Sequence, residues 1–215
     1  MKTSIIAFLS CITFSLFGQK VHFGIEGGFN AVKSAFSSEP AFEDFTFSYK
    51  KSFIIGIPLE INISQYFNLH SGLYYSHLGT HGRKEANNNL YVNGVEDRID
   101  KKIYSIILPI NYKVNIPVKS IELFAGFGAQ LQYNISGCRT TYLYFNNRSI
   151  SDREIKIHAK DMAQFAMGMD LFLGLETKFG VFGKLFYSHG LTVVDIRENH
   201  NEKQQQLGMT AGFMF

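Results

Sequence analysis

Tryptophan is missing from this chain, proline occurs only 4 times in 215 residues, and cysteine only twice. Cys11 lies in a leading apolar stretch, so residues 19–215 hold Cys138 alone. An intramolecular disulfide is thereby excluded, and with no histidine near it in sequence Cys138 carries no sign of catalysis. Net charge is also scarce. With Lys2 set aside, 20 basic residues face 18 acidic ones, which implies no nucleic-acid partner. After residue 18 no apolar run is long enough for a transmembrane helix. The first 18 residues themselves have the layout of an export signal: Lys2, an apolar stretch from Ile5 to Phe17, then small Gly18. Cys11 lacks the Leu three residues earlier that a lipoprotein cleavage site would show. The expected division is a signal at 1–18 and one domain at 19–215.

What is abundant is glycine, with 19 copies, and aromatic residues, at 15% of the chain. They fall into a period of two. Phe53, Ile55, Ile57, Leu59, Ile61 and Ile63 alternate with Ser52, Ile54, Gly56, Pro58, Glu60 and Asn62, which is a strand pattern. Tyr104 to Asn115 and Ile121 to Ile135 repeat it. Val21–Val32, Phe67–Gly79, Met162–Leu175, Val181–Val193 and Gln204–Phe215 do so less cleanly, making eight segments in all. An even number of strands suits closure into a barrel.

The connections alternate in length. Residues 64–66, 116–120 and 176–180 read as tight turns, whereas 33–51, 80–102, 136–161 and 194–203 read as long polar loops. The pattern predicts an all-β fold: an eight-stranded antiparallel up-and-down transmembrane β-barrel with short periplasmic turns and four long extracellular loops. A soluble lipocalin-like barrel binding a small apolar ligand is the competitor. The two faces distinguish them. The polar face is sparse and small, built on Gly24, Gly28, Gly56, Gly72, Gly126, Gly128, Gly168, Gly208 and Gly212 with single ionisable groups between them, which fits a narrow interior. The other face is almost uninterrupted Ile, Leu, Phe and Tyr, which suits lipid rather than water.

The ionisable residues expected to point inward are Glu26, Glu60, His70, Lys113, Glu122, Asp170 and Lys184. A selectivity ring or proton path is one reading. A structural network in a packed lumen is the reading this strand number favours. Tyr75, Tyr104, Tyr133 and Tyr187 are expected in an aromatic girdle at the membrane interface.

Tyr-Ser-His occurs twice, at Tyr75-Ser76-His77 and Tyr187-Ser188-His189, and invites comparison with a rim-active lipid-modifying enzyme. Nucleophilic catalysis needs hydroxyl and imidazole within hydrogen-bond reach. Neighbours on an extended strand leave on opposite faces, so both serines point inward and both histidines outward. No catalytic residue, metal ligand or cofactor site is predicted. Lys101 and Lys102, at the level expected for the outer rim, are candidates to meet lipopolysaccharide phosphates.

The segments "FGIEGGFNA", "GIPLEINISQYFNLHSGLYY", "YSIILPINYKV", "ELFAGFGAQLQY" and "LFYSHGLTVV", in that order, resemble the PorT-like outer-membrane β-barrel family over nearly the whole of 19–215. The resemblance implies an outer-membrane location; outer-membrane lipid and lipopolysaccharide are the expected surroundings, and a monomer is the expected state. The resemblance also implies that the terminal "GMTAGFMF", with Phe213 and Phe215, is the closing strand read by the barrel-assembly machinery. The family's named founder is tied to a protein-secretion apparatus, so a secretion accessory is one implied role. The family brings no catalytic motif to match.

Overall fold

A computed structural model describes residues 20–36, 45–84, 96–145, 148–157, 163–192 and 202–215. The segment read as an export signal lies outside the described residues. Among the described residues nine strands form one antiparallel sheet: β1 (Val21–Phe36), β2 (Phe45–Asn62), β3 (Phe67–Lys84), β4 (Glu96–Val118), β5 (Ile121–Phe145), β6 (Arg148–Ile157), β7 (Phe165–Thr177), β8 (Val181–Gly190) and β9 (Glu202–Met214). Each strand pairs with its chain neighbour except β6 and β7; β7 pairs with β5 instead, β1 pairs with β9, and β4 to β5 completes the ring. Eight strands make the closed barrel. The ninth, β6, is the return leg of a hairpin: it pairs with Gly137–Phe145 of β5, above the stretch Ile121–Tyr133 that pairs with β7.

The stagger follows from the register. Paired residues lead from Val32 through Gln206, Ser188, Asp170, Gly128, Asn111, His70 and Glu60 back to β1 at His22, ten residues from the start. With ordinary strand spacings that shear tilts the strands by about 40°, within the range of closed barrels.

The alternation read from the sequence is the alternation of faces. Ser52, Ile54, Pro58 and Glu60 are buried while Phe53, Ile55 and Ile57 are exposed, and β4 and β5 follow the same rule. The tight turns fall at 63–66, 119–120 and 178–180. At the last, Gly180 has φ +83°, and a Cβ there would collide with the Met214 carbonyl oxygen.

At the opposite end the structure departs from expectation. Much of 33–51, 80–102 and 136–161, expected as loop, is strand: β2 begins at Phe45, β3 runs to Lys84, β4 begins at Glu96, and β5 continues to Phe145 before returning as β6. β4 has 23 residues and β5 has 25, about twice what a tilted strand needs to cross a bilayer. Above the apolar belt neither face has to be greasy, so the contrast on which the sequence reading relied disappears while the backbone ladder continues.

Candidate functional site

The interior is where the inward parity of eight strands converges. It is not as sparse as the sequence suggested, because five rings point into it: Tyr74, Phe124, Phe172, Phe182 and Phe186. Each faces a glycine directly across the ladder: Gly56 opposite Tyr74, Gly126 opposite Phe172, Gly174 opposite Phe124, Gly208 opposite Phe186 and Gly212 opposite Phe182. A Cβ on any of these five glycines would run into the facing ring. The glycines expected to make a narrow lumen therefore make room for rings, and the pairing gives each ring a flat backbone to lie against.

Between the rings sit the ionisable groups. Glu26, buried near the middle of the barrel, bonds to Lys184 Nζ at 2.7 Å, and accepts hydrogen bonds from Tyr74 Oη at 2.7 Å and Thr210 Oγ1 at 2.5 Å. Nearer the short-turn end, Lys113 Nζ lies 2.8 Å from Glu60 and 3.1 Å from Glu176, and 4.4 Å above the ring of Phe124. Asn68 donates to the other oxygen of Glu60, and His70 Nδ1 stands 3.9 Å from that carboxylate. Asp170 accepts from Ser188 Oγ at 2.5 Å. Glu122 is half-buried within electrostatic reach of Lys113, Glu60 and Glu176.

The seven residues singled out from the sequence thus all face inward, in two ion-paired groups with Asp170 and Glu122 beside them. Sequence reasoning missed Glu176, assigned to a turn at 176–180; the parity of Asp170 and Phe172 on the same strand was the available signal. Tyr74, Thr210 and Asn68 were missed because partners across the lumen are fixed by shear, not by spacing along the chain. Such pairs hold because each buried charge is matched and hydrogen-bonded.

Glu26, Tyr74, Lys184, Asp170, Asn111 and Ser188 help line a cavity of about 40 Å³, room for a little water. Towards the long-connection end an apolar layer of Val32, Leu78, Ile103 and Ala166 packs across the interior. Phe124, Phe172 and Phe182 pack together towards the short-turn end, with Met214 against them. Both sides of the cavity are filled.

The outward face is its inverse. Ile25, Phe29, Ile55, Ile57, Leu73, Ile110, Tyr112, Phe127, Met169, Leu171, Leu173, Leu185 and Met209 are all exposed, on all eight barrel strands. A water-soluble barrel would not survive such a surface, since apolar patches on soluble proteins rarely exceed a few hundred Å². Tyr75, Tyr104, Tyr133 and Tyr187 face outward with them, Tyr75 stacked on Tyr104 at 6.5 Å and Tyr133 against Phe165 at 5.2 Å. Phe213 and Phe215 are also outward, and the Phe215 amide donates to the Phe23 carbonyl oxygen at 2.7 Å.

The two Tyr-Ser-His copies separate as strand geometry requires. Ser76 Oγ donates to the Phe53 carbonyl oxygen and Ser188 Oγ to Asp170, both inside. His77 lies outside between Phe53 and Tyr104, with ring centroids 5.8 and 5.1 Å away, and His189 lies beside Tyr187. Of the two lysines considered for the rim, Lys101 is turned inward and only 7% exposed, so it is not available to an outer lipid; Lys102 is exposed.

A closed eight-stranded antiparallel barrel, filled inside and apolar outside, is an integral membrane β-barrel. The family model described as "Outer membrane protein beta-barrel domain" matches residues 17–195, and the chain belongs to that family; it is an outer-membrane protein. No curated protein sequence matches it. Among solved structures it is similar to Neisserial surface protein A, at 15% identity and TM-score 0.45 over 90% of this chain and 97% of that one. It is also similar to OprG from Pseudomonas aeruginosa, at 11% identity and TM-score 0.49 over 92% and 97%. Ail from Yersinia pestis has 12% identity and TM-score 0.41 over 91% and 99%.

Proposed function

We propose that this protein is a binding or structural component of the outer membrane whose working part is the strand platform beyond the apolar belt, with the short turns in the periplasm and β2 to β6 projecting outward. The observation that carries this reading is the length of β4 and β5 set against an interior filled by rings, ion pairs and an apolar layer. Strands twice as long as the bilayer needs are built for something outside it, and loops and extensions on a rigid scaffold are where binding normally resides. The resemblance to the PorT-like family makes a component of a secretion apparatus the first partner to seek. Aromatic residues at the interface and Phe213 and Phe215 at the closing strand fit insertion by the barrel-assembly machinery.

The test is a variant in which residues 138–157, the β5–β6 hairpin above the barrel, are replaced by a two-residue turn. Cross-linking at the cell surface followed by affinity capture should recover a partner with the parent chain and lose it with the variant. Both should still migrate anomalously on unboiled gels, as folded barrels do. Identical partners from both forms would remove the platform from the function, and normal export from a deletion strain would remove the secretion role.

A further inference from the structure

The outward face at the long-connection end is not electrostatically uniform. On the β3–β4 side an acid is present: Asp100 lies 2.5 Å from His81 Nδ1 and 3.6 Å from Lys50 Nζ. On the adjoining β2, β1 and β9 the outward positions above the belt are Lys51, Ala31, Lys33, Gln205 and Lys203. Lys51 stands opposite Ala31, Lys33 opposite Gln205, and Lys203 opposite Ala35. His189 of β8 faces Gln205 from the other side. Strand spacings put the three lysine Cα atoms within about 16 Å of one another. Among the described residues none of the three is ion-paired, and no acid occupies an outward position of this patch. Directly below it the surface is Phe29, Phe53, Leu207 and Tyr187, which is apolar and aromatic.

The short-turn end makes the contrast. Its lysines are Lys20 ahead of β1, Lys119 between β4 and β5, and Lys178 between β7 and β8, spread around the circumference rather than gathered. A cluster of three cations on one side, immediately above apolar surface, has the arrangement that a phosphorylated glycolipid headgroup would complement, its acyl chains running down the belt and its phosphates at the lysines.

We propose that Lys51, Lys33 and Lys203 form a binding site for the phosphates of lipopolysaccharide in the outer leaflet. This rests on the orientation given under the proposed function. Each lysine near a charged membrane surface contributes about a fivefold gain in binding, so losing three weakens it by about a hundredfold at low salt.

The test uses the folded full-length barrel in neutral-detergent micelles, titrated with purified lipopolysaccharide and with the same lipid after enzymatic dephosphorylation. The triple variant Lys33→Gln/Lys51→Gln/Lys203→Gln should lose most binding to the phosphorylated lipid. The control Lys20→Gln/Lys119→Gln/Lys178→Gln should keep it, and the dephosphorylated lipid should bind both weakly. Parent-like binding by the first variant, or an equal loss in both, overturns the site. Mobility with and without boiling confirms that each variant is folded. The orientation fails separately: surface protease reaching the short turns rather than the β5–β6 hairpin on intact cells would overturn it whatever the lipid affinities.

Discussion

Both faces of this barrel are rich in aromatic rings, yet they use them in opposite ways. Inside, each of five rings lies against a glycine, and between them Lys184 pairs with Glu26 and Lys113 with Glu60. Outside, rings and branched chains crowd one another with little relief, as in Tyr75 on Tyr104 and Tyr112 near Phe127 at 6.1 Å. Burial in a narrow lumen is limited by volume, whereas exposure to lipid is limited only by polarity. A ring inside must be given space and its neighbours must cancel their charge. A ring outside needs only to be apolar.

The largest loss is expected where a buried charge loses its partner. Lys184→Met leaves Glu26 uncompensated in the lumen and should cost about 3–5 kcal/mol, and adding Glu26→Gln should recover much of it. Urea unfolding in lipid vesicles followed by tyrosine fluorescence or gel mobility measures both. If Lys184→Met alone were neutral, the lumen would be wetter and more forgiving than the packing indicates.

A charge on the other face tests the opposite limit. Leu173→Arg, exposed on β7, should cost about 2–4 kcal/mol if it lies near the bilayer midplane, although the same surface is open in the isolated protein. Unfolding in water-miscible detergent and in bilayers should differ, and no difference would mean that this belt does not meet lipid.

Volume is tested more finely. Gly208→Ala inserts a methyl against the ring of Phe186 and should destabilise by about 1–3 kcal/mol, with Phe186→Ala relieving part of the loss in a double-mutant cycle. Additive effects would show that ring and glycine do not share the space.

The smallest effect is expected at Gly183, which faces outward on β8 and has no atom within 4 Å of where its Cβ would be. Gly183→Ala should be neutral or stabilise by about 0.5–1 kcal/mol, because alanine loses less backbone freedom on folding. A loss comparable to that at Gly208 would erase the distinction between the faces.

The fold was largely legible because a strand between lipid and a packed lumen must alternate, and Phe53 to Ile63 or Tyr104 to Asn115 cannot hide that period. The inward direction of Glu26, Glu60, His70, Lys113, Glu122, Asp170 and Lys184 followed from the same parity. What was lost lay where the contrast fades. Glu96 to Lys102 and the stretch beyond Gly137 are largely polar in sequence with no apolar alternation, so they resembled loops although their backbone is strand. Phe172 and Phe182 are apolar on the inward side, so a face read through its glycines seemed emptier than it is.

Which side of each strand meets lipid is set residue by residue along the chain, because transfer of a side chain between hydrocarbon and a polar lumen depends on that side chain alone. That Glu26 meets Lys184, that Lys113 lies between Glu60 and Glu176, and that Lys33, Lys51 and Lys203 gather on one flank follow from barrel closure instead. These depend on a shear of ten residues and the closure of β1 on β9, which bring distant positions to one level through the whole ring of backbone hydrogen bonds.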